Sequence, residues 1–251
     1  MTPTPPQPTP VVAVIPARMA STRFPGKPLA DQTGKPMIQH VCERAALASL
    51  VDRVLVATDD QRIIEAVRAF GGEAVLTGTE HPNGTSRIAE VAEGLDCAVV
   101  VNVQGDEPMI DPATIDLAVR ALLEDDGAPM STVACPFGPD EDPGDPNLVK
   151  VVHDAAGRAV DFSRTPLAAA DRDGNSPLLR HVGLYAYRQA FLPVFAGLPG
   201  TEREAAERLE QLRALDHGHP IAVARCPRAH HGIDTPEQYA RFVSEFRELS
   251  D

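Results

Sequence analysis

"VVAVIPARMASTRFPGKPL", residues 11–29, joins an apolar run to a loop crowded with permanent cations. Val11–Ile15 has no polar residue on either alternating face, the pattern of a strand buried inside a parallel sheet covered by helices. Pro16, Pro25, Gly26 and Pro28 follow, residues that forbid a helix and predict a loop. Arg18, Arg23 and Lys27 fall in that loop, at the carboxyl end of the strand, where open parallel sheets bind their ligands. The whole chain is acidic: 251 residues carry 36 Asp and Glu against 23 Lys and Arg, a net charge of −13. The three cations are therefore gathered against the overall charge. They suit a small polyanion, not a nucleic-acid polymer or an anionic membrane.

Apolar strands and amphipathic helices alternate from there. Strands are expected at 53–58, 73–76, 97–103 and 131–136, and helices at 36–49, 62–70, 86–95 and from Pro112 to Leu123. Pro36 is expected at the first position of its helix, Gly71 and Gly72 end the second, and Asp111 caps the fourth. This order predicts an α/β fold, a mostly parallel mixed sheet with helices on both faces. The second half reads as a hairpin at 149–162, a long loop at 166–178, a strand at 181–188, one helix at 202–215, a strand at 221–225 and a closing helix at 236–249. No linker divides the chain, so residues 11–251 are expected to form one domain behind a disordered Pro/Thr-rich tail, residues 1–10. That tail lacks the basic and apolar regions of a signal peptide, and no apolar run approaches the ~18 residues of a membrane span. Cys42, Cys97, Cys135 and Cys226 form no CxxC pair and imply neither zinc nor a redox pair. Cys42 and Cys97 read as buried thiols, which fits a cytoplasmic protein.

Three stretches can carry chemistry. Arg18, Arg23 and Lys27 can converge on a nucleoside triphosphate, whose roughly four charges three cations and a divalent metal would offset. The loop is neither a P-loop nor a GxGxxG turn. "VNVQGDEP" (101–108) ends a buried strand in Gln104, Gly105 and Asp106; the glycine permits close backbone approach and the aspartate can hold a metal, although Gly-Asp is also an ordinary turn pair. In "HGIDTPEQY" (231–239), Thr235 and Gln238 fit a capping box with Pro236 at the first helical position. Thr235 can then cap the helix, which leaves Asp234 free to join Asp106 in a two-carboxylate Mg²⁺ site. Gly84, Thr85 and Arg87 lie where a Gly-containing turn enters a helix, whose amides suit a phosphate or a base edge. Arg164, His181 and Tyr185 lie near strand ends, and Glu210 and Gln211 on the helix 202–215, where a surface position is the default. Asp140-Glu141-Asp142 and Asp171-Arg172-Asp173 match a D-x-D pattern but read as solvated loop charges.

Taken together, "IPARMASTRFPGKPL", "GKPMIQHV", "VATDD", "NGTSR", "VNVQGDEPMI", "PNLVKVV", "FSR", "RHVGLYAYR", "LEQLR" and "GIDTPEQ" occur in an order that resembles the bacterial 3-deoxy-manno-octulosonate (KDO) cytidylyltransferases over residues 11–247. The resemblance implies a Rossmann-like nucleotidyltransferase fold, a homodimer, Mg²⁺, and the reaction CTP + KDO → CMP-KDO + pyrophosphate for lipopolysaccharide synthesis. It places Arg18, Arg23 and Lys27 on the triphosphate, Gln104 between nucleotide and sugar, and metal on Asp106 and Asp234. Arg164, His181, Tyr185, Glu210 and Gln211 fall on the sugar side. The chain departs from the family pattern at Asn83 (usually Ser), Ser86 (usually acidic), Thr201–Glu204 (usually S-P-L-E), Asp216 (often aromatic) and Ala168 (usually Pro).

The expected mechanism is in-line attack of the sugar's anomeric hydroxyl on the α-phosphorus, with no evident His or Glu base. Lys27, Arg18, Asp106 and Asp234 are the residues expected to carry it. Three rival readings remain: activation of another acidic sugar such as an 8-amino KDO or a nonulosonate, a nucleotide-binding module without turnover, and a glycosyltransferase consuming a sugar nucleotide.

Overall fold

The computed structural model describes residues 10–167, 177–229 and 232–248. The first half runs β1 (Val11–Ala17), α1 (Met37–Ala46), β2 (Arg53–Thr58), α2 (Gln61–Ala69), β3 (Glu73–Leu76), α3 (Gly84–Ala92), β4 (Val99–Asn102), α4 (Pro112–Glu124) and β5 (Met130–Cys135). The second half runs β6 (Lys150–His153), β7 (Ala159–Ser163), β8 (Leu179–Arg188), α5 (Phe191–Gly197), α6 (Glu202–Glu207), α7 (Gln211–Asp216), β9 (Ile221–Arg225) and α8 (Pro236–Glu248). One nine-stranded sheet takes strands from both halves, in the order β3-β2-β1-β4-β8-β5-β9, with the β6–β7 hairpin attached to β8.

Neighbouring strands are parallel except where β8 enters between β4 and β5 and pairs antiparallel with both, and in the β6–β7 hairpin, whose β6 also pairs antiparallel with β8. Alternation along each strand sends side chains into two cores. Val11, Ala13 and Ile15 of β1 pack with α1, α2 and α4, whereas Val12 and Val14 pack with α3, α5 and α7. Full burial of each Val or Ile contributes about 1.5–3 kcal/mol relative to exposure. This is why an uninterrupted apolar run forms the centre of the sheet. β1 lies beside β4, so the loops after them open at one crevice where the strand order reverses.

Several local expectations are corrected. Pro36 is the N-cap of α1, with extended ψ, and Met37 is its first residue. The loop after β1 contains one 3-10 turn, Lys27–Leu29, entered through Gly26 at φ 74°, a left-handed conformation that glycine adopts without a Cβ penalty. α5 adds to the elements expected between 188 and 202; its Pro193 occupies the third position, within the first turn where no backbone donor is needed. The single helix expected at 202–215 is two helices, broken at Arg208, whose φ of 54° turns the chain. Cys97 is half-buried rather than buried. Cys135 and Cys226, 91 positions apart in sequence, are brought side by side by the β5–β9 pairing and share a hydrogen bond; all four thiols are free. Residues 1–9, most of the loop expected at 166–178, and Asp171-Arg172-Asp173 lie outside the described residues.

Candidate active site

A cavity of about 560 Å³ opens at the crevice between β1 and β4, and Arg18, Arg23, Lys27, Gln104, Asp106 and Asp234 all line it. Asn83, Gly84 and Arg87, at the start of α3, form its far wall. Strand order therefore brings together three stretches that the sequence separates by up to about two hundred residues.

Lys27 lies at the centre, with its side chain only 12% exposed. Its ammonium donates to Asp106 Oδ2 at 2.9 Å and to the Ile233 carbonyl at 2.7 Å, and it lies 3.5 Å from Asp234 Oδ1. Arg23 pairs with Asp234 at 2.9 Å. Three cations thus share the cavity with the two expected carboxylates, which already bind two of them. Asp234 is free to do so because Thr235 caps α8, Gln238 N donating to Thr235 Oγ1 at 3.3 Å. Gln238 Oε1 in return accepts from the amides of Asp234 at 2.6 Å and Thr235 at 3.0 Å. The competition between Thr235 and Asp234 for the cap resolves as the capping box predicts.

Asp106 is carried on a turn that depends on Gly105. A Cβ at Gly105 would lie 2.8 Å from the Pro16 carbonyl oxygen, closer than real Cβ atoms approach backbone. Gly105→Ala is therefore expected to lower the unfolding free energy by about 1–3 kcal/mol, read from denaturant unfolding. Unchanged stability would show that the two loops have room to separate. Next in sequence is Glu107, to which the sequence pattern assigned no role. It is buried with its Oε2 unpartnered, and burial pushes its carboxyl up to about 8, so it is a neutral acid at pH 7. The only signal for it was its place between Asp106 and an apolar turn.

Other expected residues prove to be structural partners as well. Arg87 is 3% exposed and paired with Asp59 at 2.8 Å, with further bonds to Thr77 and the Gly78 carbonyl, so its donors are largely committed. This accounts for the "VATDD" stretch. Thr85 Oγ1 donates to Glu210 Oε2 at 2.6 Å. Glu141, expected as a solvated loop charge, instead pairs with Arg180. Gln104 reaches from β4 towards β8, its amide 3.3 Å from the Gly183 carbonyl.

Arg164, His181, Tyr185, Glu210 and Gln211 do not line this cavity; they group around β8 and the α6–α7 corner. Arg164 is fixed there by Glu207, whose carboxylate accepts from its amide at 2.7 Å and whose carbonyl accepts from its Nε at 2.8 Å. The His181 and Tyr185 ring centres are 5.5 Å apart, and Glu210 acts electrostatically on Tyr185. Gln211 is buried with its amide nitrogen unpartnered. Glu210 is not on a helix surface: the turn at Arg208 points it inward, and burial raises its pKa.

His181 Nε2 lies 2.8 Å from Thr132 Oγ1, and burial pushes its pKa down to about 3. It is neutral throughout the physiological range and no general acid. The sign follows: between pH 3 and 6.5 the unfolded chain binds the proton and the folded one does not. Its contribution is complete above pH 6.5 and declines as pH falls below that value. We expect the His181 ring signals in NMR to show no protonation at pH 5; a midpoint near 6.5 would refute its burial.

The comparisons with known proteins meet this geometry. The Cytidylyltransferase sequence-family profile matches residues 12–221. A 3-deoxy-manno-octulosonate cytidylyltransferase of Syntrophotalea carbinolica is 50% identical over 248 residues, covering 95% of this chain and 99% of its own. One from Syntrophobacter fumaroxidans is 51% identical over 239 residues, 93% of this chain and 95% of its own. The chain belongs to the 3-deoxy-manno-octulosonate cytidylyltransferase family. A solved CMP:2-keto-3-deoxy-manno-octonic acid synthetase, complexed with CTP, superposes on this chain with a TM-score of 0.89 at 39% identity, covering 96% of this chain and all of that one. Beyond the family, a glucose-1-phosphate thymidylyltransferase from Bacillus anthracis shares the fold alone, at TM-score 0.67 and 13% identity. The mixed, mostly parallel nucleotidyltransferase sheet expected from the sequence is the fold observed.

Proposed function

We propose that this chain catalyses CTP + KDO → CMP-KDO + pyrophosphate, supplying activated sugar for lipopolysaccharide synthesis. The observation that carries this reading is the convergence of Arg18, Arg23 and Lys27 with Asp106 and Asp234 on one cavity at the carboxyl ends of β1 and β4, in a chain of this family. The anomeric oxygen forms its bond to the α-phosphorus as the bond from that phosphorus to the pyrophosphate oxygen breaks. The hydroxyl proton leaves to solvent, and pyrophosphate departs with the electron pair. Arg18 and Arg23, both exposed, grip the triphosphate oxygens, and Lys27 turns from the aspartates to stabilise the departing charge. Arg164, Tyr185, Glu210 and Gln211 hold the sugar beside His181, whose neutral imidazole serves as a hydrogen-bonding wall.

Asp106 and Asp234 would hold Mg²⁺. The site fits such an ion because one cationic centre, the Lys27 ammonium, already has Asp106 Oδ2, Asp234 Oδ1 and the Ile233 carbonyl oxygen around it. An all-oxygen set of two carboxylates with room for phosphate oxygens is what Mg²⁺ prefers. Bound there, Mg²⁺ supplies Lewis-acid charge to the sugar hydroxyl and the phosphate. The homodimer is carried over from the family. The cytoplasm is supported by four free thiols and by the absence, among the described residues, of a helix long and apolar enough to cross a membrane.

Activation of a different acidic sugar was raised by the departures at 201–216. Thr201 Oγ1 donates to Asp216 Oδ2 at 2.7 Å, and Arg203 pairs with both Asp216 and Asp161, so these residues satisfy one another. KDO is the proposed sugar because it is the one named for the chain's relatives. The test is pyrophosphate release from CTP and Mg²⁺ with and without KDO, against UTP, an 8-amino KDO and a sialic acid. Release that requires CTP, KDO and Mg²⁺ together is expected. Release with another sugar only would move the substrate, and CTP binding without release would make the chain a non-catalytic module.

A further inference from the structure

Asn83 stands at the boundary between the two halves of the site. It is the N-cap of α3, its Oδ1 accepting from the Ser86 amide at 2.9 Å. Its other amide atom, Nδ2, donates to Glu210 Oε1 at 2.7 Å, across 127 positions of sequence. With Thr85 on Oε2, both oxygens of this carboxylate are held by the start of α3. Asn83 lines the cation-loaded cavity, whereas Glu210 lines a second cavity of about 680 Å³ with Thr201, Glu204 and Arg208. Their hydrogen bond is part of the wall between the two. Glu210 also follows the left-handed turn at Arg208, so its backbone is set by a short, strained corner and its carboxylate by α3.

We propose that Asn83 is a positioning residue for the reaction: it fixes Glu210 against the nucleotide wall, and so determines how the acidic sugar is held relative to the triphosphate. The inference rests on the reading of Glu210 as a sugar-side residue. A hydrogen bond to a charged acceptor that is mostly shielded from water is among the stronger ones, so its loss should be measurable.

Four proteins test this: wild type, Asn83→Asp, Glu210→Gln and the double variant. Asn83→Asp keeps the shape and the helix cap but removes the donor and sets one carboxylate against another. In the double variant a Gln amide can donate to the new Asp, reversing the bond without losing it. We expect Asn83→Asp to raise the KM of the sugar about tenfold or more, and by a larger factor than it raises the KM of CTP. The double variant should recover most of that loss relative to Asn83→Asp. Asn83→Ser, which keeps a capping oxygen but cannot reach Glu210, should raise the sugar KM while leaving the KM of CTP within about twofold. An unchanged sugar KM in Asn83→Asp, or losses that multiply independently in the double variant, would overturn the proposal. A wild type that releases no pyrophosphate with any sugar would instead overturn the functional reading. The proposal would then be decided by the same four thermal midpoints, where independent effects of the two substitutions count against it.

Discussion

Lys27→Ala is expected to lower kcat by about 10²-fold or more, the loss typical when one preorganised charge donor is removed from a developing anion. The argument starts from burial. A long ammonium side chain 12% exposed, wedged between two carboxylates and a backbone carbonyl, is held in place before any ligand arrives. It is thus held at the edge of the cavity on folding, and a short turn away from the aspartates brings it to the triphosphate. Without Lys27, Asp106 and Asp234 face one another across a space with no central counter-charge, and Arg23 alone still pairs with Asp234. A second consequence follows in the absence of nucleotide. Divalent metal should raise the thermal midpoint of Lys27→Ala more than that of wild type, because it can take the place the ammonium leaves. Near-normal turnover would remove Lys27 from the mechanism, and equal metal stabilisation would show that the two aspartates do not act as one site.

Asp106→Asn should be comparably damaging for the opposite reason. The amide keeps the volume but removes a charge, so the Lys27 ammonium loses the partner at 2.9 Å and the proposed Mg²⁺ site loses a carboxylate. We expect kcat to fall by about 10²–10³-fold and the Mg²⁺ concentration for half-maximal rate to rise at least tenfold. Titrating Mg²⁺ at saturating CTP and KDO measures both. Asp234→Asn, whose carboxylate is 40% exposed and paired with Arg23 as well as Lys27, should show the same direction. If either variant keeps the wild-type Mg²⁺ dependence, that residue is not a metal ligand.

Much of this could be read from residue pattern because the physics was local. Five apolar residues in a row placed β1 in the sheet centre, Asp111 and Pro112 started α4, and the Thr235–Gln238 box left Asp234 uncapped. What escaped was set by tertiary context. Periodicity runs straight through 202–215 because Leu209 and Leu212 both reach the core, yet Arg208 turns the chain between them. The cations of the first loop gave no hint that aspartates 79 and more positions away already neutralise part of their charge. Thr85 and Arg87 read as ligand contacts and are found bonded to Glu210 and Asp59, since a motif marks a side chain as important without saying what it touches. Glu107 left no periodic or spacing signal.

The last helix has a bearing on how the protein is made. Phe24 of the cation loop packs against Tyr239 of α8 with ring centres 5.5 Å apart, and the Tyr239 hydroxyl accepts from the Gln32 amide at 2.9 Å. The Ile233 carbonyl that anchors Lys27 lies in the same late segment. β1 and its loop are synthesised about two hundred residues before the α8 segment that supports them. A nascent chain can therefore pair β1, β2 and β4 while its cation-bearing loop still lacks its support, and that loop is braced only once Ile233 and Tyr239 have emerged.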